Sequence, residues 1–239
     1  MIHNLKLDPS IFRRCRTPIS APIEDHTSLS EDEAAFFMSG TGMIGWLAVT
    51  GRPDLKYAHS RISQHLATPN VGALKALMHA IRYSYFTRDY CLHQSVSDGE
   101  TWSMSCDSDQ SGNTEVQNRR RSQMGYLAMF GSAPVVWGSK ASTVQFDDWN
   151  DMSAEAQVQL DLVSGGVPVC HPAMDDLHPD MSSAAAEVYA ASIALAEFLH
   201  LSYINDEMGY GNIPIVIGVD NSTAIAFSEN STKRSKMRH

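Results

Sequence analysis

The feature that most constrains this chain is a change of hydrophobic period near residue 90. Before it, apolar residues recur every three or four positions; after it, apolar runs are separated by glycine and polar clusters. Helices therefore come first and a sheet afterwards, which points to an α/β chain. Ser30 and Glu33 have capping-box spacing, and Phe36, Phe37, Ile44, Leu47 and Ala48 suit a helix with a glycine interruption at 40–45. A second helix is predicted from Arg52-Pro53-Asp54 through Tyr57, Ala58, Ile62 and Leu66, since proline fits a first helical turn. A third covers about 70–87, with Val71, Leu74, Leu77, Met78, Ile81 and Tyr85 at helical spacing. Residues 1–27, punctuated by Pro9, Pro18 and Pro22, read as an extended arm with few core contacts.

In the second half, runs at about 100–107, 124–131 and 134–139 read as three antiparallel strands. Residues 145–181 break the pattern as an irregular insertion with eight acids and no lysine or arginine. A long helix follows from Ser183, its apolar face expected at Ala186, Val188, Ala191, Leu195, Phe198, Leu199 and Leu201. "IPIVIGVD", residues 213–220, is a continuous run of the buried-strand type, and "STAIAFSEN" after it reads as a short helix.

The 239 residues, 43% of them hydrophobic, suffice for a real core. No run is long enough to span a membrane and the first residues lack a signal-peptide centre, so the expected setting is intracellular, cytoplasmic or nuclear. Cys15, Cys91, Cys106 and Cys170 form no C-x-x-C pair and are expected to be reduced thiols, two or more of them buried. A net charge of -9 argues against a generic nucleic-acid binder. The acids are regional, however: 14 of the 27 lie between Lys140 and Lys233, where there is no lysine or arginine.

Three acids share a context. Asp107 ends the first strand, Glu187 lies early in the long helix and Asp220 ends the last strand. Two strand-terminal aspartates and a glutamate from a helix crossing the sheet would repel one another unless divalent cations joined them, and magnesium prefers such oxygen ligands. Two ions about 3.5–4 Å apart would clamp the attacking and leaving oxygens of a phosphodiester. A second reading stands beside this one: aspartate is common after strands as a turn residue, and a glutamate at a helix start complements the dipole.

Six blocks in order, "GWLAVTGRPDLKYAHSRIS", "ALKALMHAIRYSYFTRDYCL", "CDSD", "RRRSQMGYLAMFGSAPVVWGSK", "SSAAAEVYAASIALAEFLHL" and "GVDNSTAIA", resemble the C-terminal part of copia-type retrotransposon polyproteins, the tail of the reverse transcriptase followed by its ribonuclease H domain. The similarity spans about residues 13–239, interrupted by the insertion. It implies a ribonuclease H-like α/β domain, a mixed sheet with flanking helices, at 96–239. A small helical segment derived from the reverse-transcriptase connection would precede it at 28–95, and the arm at 1–27. It also implies metal-dependent endonucleolytic cleavage of RNA in RNA/DNA hybrids, with Asp107, Glu187 and Asp220 holding two Mg2+ ions, or Mn2+ as substitute. Asp109 belongs to the same block as Asp107 and is expected behind the ligands. The implied partners are the hybrid and the polymerase part of the same polyprotein, with no membrane. The paired aspartates of a polymerase palm are absent, so no DNA synthesis is implied. The family pattern carries a fourth aspartate after a basic stretch ending in histidine, and the sequence stops at His239. The alternative is therefore an inactive retrotransposon remnant that keeps the fold and at most binds nucleic acid.

Two basic clusters are candidate phosphate contacts: Arg119, Arg120 and Arg121 before the second strand, and Lys233, Arg234, Lys236 and Arg238 at the end. Solvated turns are the plain alternative. Cys170, His171 and His178 lack a fourth ligand at regular spacing. Trp137, Tyr126 and Met129 are expected in the core, and no G-x-S-x-G turn supports a hydrolase triad.

Overall fold

A computed structural model describes residues 5, 7–19, 22–92, 101–109, 122–141, 183–209 and 215–219. The chain divides into two compact units, Met1–Gln94 with Trp137–Lys140, and Ser95–Val136 with Ala141–His239. The insertion at 145–181 and the short helix expected after Asp220 lie outside the described residues.

In the first unit, helix α1 spans Glu31–Thr50. Its start is the expected capping box: the Ser30 hydroxyl accepts from the Glu33 amide, and the Glu33 carboxylate accepts from the Ser30 amide at 3.0 Å. The helix runs unbroken through 40–45, where the sequence suggested an interruption. The glycines serve packing instead: a Cβ on Gly40 would sit 2.8 Å from Leu77 Cδ2, and one on Gly45 2.5 Å from His59 Nε2. A short 3-10 turn, Pro53–Leu55, leads into α2 at Lys56–Ser63, which stops short of Leu66. Helix α3 spans Val71–Phe86, its N-terminus capped by Asn70, whose Oδ1 accepts from the Ala73 amide at 2.8 Å. With that oxygen engaged, the Asn70 amide is the donor to His65 Nδ1 at 3.1 Å.

Phe37, Ile44, Ile62, Leu77, Ala80 and Ile81 form the centre of this unit's core, and Ile23 joins them at 1% exposure. The arm is thus better anchored than expected: Leu5, Leu7 and Phe12 also pack on that core. Arg52 ties the ends of α1 and α3 together. Its guanidinium meets Asp54 in a two-bond fork at 2.9 and 2.7 Å and donates to the carbonyl and hydroxyl of Thr87 at 3.1 and 2.6 Å. Burial pushes the Asp54 carboxyl up, but the bonds from Arg52 and Tyr83 outweigh it and hold the group below its ordinary range.

The strands β1 (Trp102–Asp109), β2 (Gln123–Phe130), β3 (Ala133–Ala141) and β4 (Ile215–Gly218) form a mixed sheet in the order β3-β2-β1-β4; β1, β2 and β4 lie in the second unit, while Trp137–Lys140 of β3 is counted with the first. β1 is antiparallel to β2, with Trp102 opposite Phe130 and Asp107 opposite Gly125. It is parallel to β4, with Trp102 opposite Ile215 and Ser105 opposite Gly218. Two residues link β2 to β3, and Gly131 turns the chain at φ 57°, a left-handed conformation that favours glycine. Helix α4, Ser183–Glu207, covers one sheet face.

The expected centre of α4's apolar face is displaced. Ala190, Ala194 and Phe198 are the buried residues, while Leu195, Leu199 and Ala191 are half-buried. The helix is apolar around much of its girth, so the pattern did not single out a face; small side chains did, by allowing close approach to the sheet. Tyr126, Met129 and Trp137 are half-buried rather than fully enclosed. Of the described cysteines only Cys106 is buried, and Cys170 lies outside the described residues. Among the described residues no helix is long and apolar enough to cross a membrane.

Two glycines of α1 should respond oppositely to alanine. Gly40→Ala should lose roughly 1–3 kcal/mol because the fully buried Leu77 side chain would have to shift. Gly42, with nothing within 4 Å of a added Cβ, should gain about 0.5–1 kcal/mol on substitution by alanine. Urea melts of both variants against wild type check this.

Candidate active site

Alternation along β1 sends Trp102, Met104 and Cys106 toward α4, and Ser103, Ser105 and Asp107 to the exposed face. The helix runs antiparallel to β1. Phe198 meets Trp102 edge-on at a ring separation of 5.8 Å, and Glu187 reaches Ser108 at the other end. The spans agree: six strand residues cover about 20 Å and eleven helical residues about 17 Å. The first turns of α4 are thereby held at the carboxyl end of β1.

Glu187 continues the buried stripe of Ala190, Ala194 and Phe198, and it is 5% exposed. Its Oε1 accepts from the Ser108 backbone N–H at 3.2 Å and from the Ser108 hydroxyl at 3.3 Å. These bonds and the positive end of the helix offset part of the cost of burying a carboxylate. Ser108 is not among the residues singled out from the sequence. The signal was parity: once 102, 104 and 106 face the helix, 108 follows.

Asp107 is exposed near the end of β1, and Asp109, also exposed, closes the strand. The described structure thus brings Glu187 to the residue next to Asp107, with Asp107 itself on the opposite strand face. Asp220, Arg119, Arg120, Arg121, Lys233, Arg234, Lys236 and Arg238 lie outside the described residues, as do Cys170, His171 and His178. Among the described residues no group of three histidine, cysteine or carboxylate side chains is placed to hold a metal ion.

A second contact fixes the helix over the sheet. Tyr126 of β2 is half-buried, and burial, the nearby Glu197 charge and a hydrogen bond to Glu197 push its hydroxyl up to about 12.

The chain is 30% identical over 131 residues to the transposon Ty5-1 protein of Saccharomyces cerevisiae, covering 54% of this chain and 42% of that protein. It is 24% identical over 238 residues to the retrovirus-related Pol polyprotein from transposon TNT 1-94 of Nicotiana tabacum, covering 93% of this chain and 15% of that one. It is also 33% identical over 104 residues to secreted RxLR effector protein 161 of Plasmopara viticola, covering 44% of this chain and 71% of that protein. The chain thus spans less than half the length of the two transposon relatives. No family model and no solved structure matches it. Its transposon relatives include retrovirus-related Pol polyproteins, and the chain is similar to a region of copia-type retrotransposon polyproteins.

Two outcomes test the packing of this unit. Ala194 is fully buried, so Ala194→Leu should cost roughly 1–3 kcal/mol in a denaturant melt. Tyrosine absorbance should show an ionisation near 12 that is lost in Tyr126→Phe. Because the folded value lies above the ordinary 10, this contribution to stability is complete below pH 10 and lost as pH rises toward 12.

Proposed function

We propose that this chain carries a retroelement-type ribonuclease H, a metal-dependent nuclease that cuts the RNA strand of RNA/DNA hybrids, in a ribonuclease H-like fold. The observation that carries the reading is the buried Glu187 carboxylate, set by α4 against the carboxyl end of β1 beside Asp107. The parallel pairing of β1 with β4 adds to it, since ligand sites of α/β sheets gather at the carboxyl ends of parallel strands.

The donor chemistry suits a hard divalent cation, because Asp107, Glu187 and Asp220 offer only carboxylate oxygens. Magnesium bound there would supply an acidified water and charge neutralisation at the phosphodiester. The chain's own task is positional. Glu187 is held by Ser108 and by burial, and Asp107 stands exposed toward substrate at the strand end. Preference for RNA would rest on the 2'-hydroxyl and on the shape of the minor groove. The other reading is an inactive remnant, favoured by the placement of Asp107 and Glu187 on opposite faces of β1.

Cleavage of a labelled RNA/DNA hybrid in Mg2+ and in Mn2+ separates the two. The nuclease reading expects cleavage that falls by roughly 100-fold or more in Asp107→Asn and in Glu187→Gln. No cleavage by a folded wild-type chain, or cleavage untouched by both substitutions, would overturn it.

A further inference from the structure

We propose that the first unit carries a second, separate nucleic-acid contact: an arginine ridge made of Arg13, Arg14 and Arg16 on the arm with Arg82 and Arg88 of the α3 end, which takes the phosphodiester backbone. It goes beyond the cleavage reading and uses none of the residues assigned there. The arm lies antiparallel along α3. Phe12 meets Tyr85 edge-on at 5.7 Å, Cys15 Sγ lies 3.8 Å from the His79 carbonyl, His79 Nε2 donates to the Thr17 carbonyl at 2.8 Å, and Asp25 pairs with Lys75 at 2.9 Å. These contacts, with Ile23 buried in the core, fix the backbone that carries the three arginines.

Charge is what marks the surface. From Pro9 to Ile23 the arm has no acid, and neither does α3 from Val71 to Phe86. Arg13, Arg14, Arg16 and Arg88 are exposed, and Arg82 is half-buried with its Nε donating to the Met78 carbonyl at 3.1 Å. Among the described residues no carboxylate forms an ion pair with any of the five; the Lys75–Asp25 pair closes the ridge at the other end of α3. The Arg82 charge also acts on the Cys15 thiol, in keeping with the contacts that lay the arm along α3.

Duplex backbone is the partner this chemistry fits. Residues 13–16 span at most about 10 Å, a length over which a duplex presents roughly six phosphate charges. Arginine grips phosphate through a planar fork, and an already anchored arm loses little entropy on binding. A lipid surface fits less well, because Ile11 is the one large exposed apolar side chain within the described arm, and the arm's three arginines sit on no amphipathic helix.

The test is binding of a labelled RNA/DNA hybrid of about 20 base pairs to the full chain, by fluorescence anisotropy in EDTA across a salt series. Arg13→Gln, Arg14→Gln and Arg16→Gln together should weaken binding by roughly 10- to 100-fold at low salt and reduce the log–log salt slope by about 2–3. The corresponding triple lysine variant should keep the slope. Because EDTA removes divalent metal, this binding is read apart from cleavage, so failure of this inference and failure of the cleavage reading are distinguishable. If the triple glutamine variant does not fold, Arg82→Gln with Arg88→Gln should reduce the slope by about 1–2. Affinity and slope unchanged in folded variants would overturn the proposal. So would a wild type that ignores the hybrid and instead binds phosphatidylserine vesicles through these arginines.

Discussion

The second unit depends on how closely α4 can approach β1. Two alanines, Ala190 and Ala194, stand where larger residues would hold the helix away, and Phe198 locks the far end against Trp102. With the helix axis set by these contacts, one helical turn before Ala190 brings Glu187 down onto the strand rather than out to water. Burial of a carboxylate follows from the packing, and the Ser108 N–H and hydroxyl meet it. The acid is costly to bury, and it stands on an otherwise apolar stripe.

The first unit rests on a different device. Glycines at 40 and 45 let α1 lie against Leu77 and His59, and Arg52 then closes the ends of the helices with four hydrogen bonds. The Arg52 guanidinium also lies 5.7 Å from the ring centres of Tyr83 and Tyr90, so its charge is shared between a carboxylate and two aromatic faces. A lysine could not make that fork, which explains why the turn before α2 begins with arginine.

Much of this was legible in the sequence because local chemistry fixed it. The Ser30–Glu33 box, the proline turn before α2 and the period change near residue 90 each specify structure without reference to distant residues. What was not legible was set by partners far along the chain. Glycines in α1 read as breakers because nothing local reveals Leu77 or His59 across the interface. The arm read as loose because Ile23 and Phe12 gain their burial from α3. At the candidate site, the acids at 107 and 187 were visible as residue types, whereas Ser108 emerged only once the face of β1 was known.

Charge distribution carries the last step. A chain of net charge -9 is a poor candidate for nucleic acid if its charges are summed, but summing assumes they act together. At physiological ionic strength the screening length is about 8 Å, so an exposed acid much farther away than that does little to weaken an arginine. The acids concentrated between Lys140 and Lys233 therefore offset the arm's arginines only where distances are short. Of the acids near the ridge, Asp8 accepts from the Ser10 amide and Asp25 holds Lys75, while Asp89 stands exposed beside Arg88. The arm itself, free of acids from Pro9 to Ile23, is where a cationic surface persists on a globally acidic chain, and such a surface favours association that is strongly salt-dependent and indifferent to base sequence.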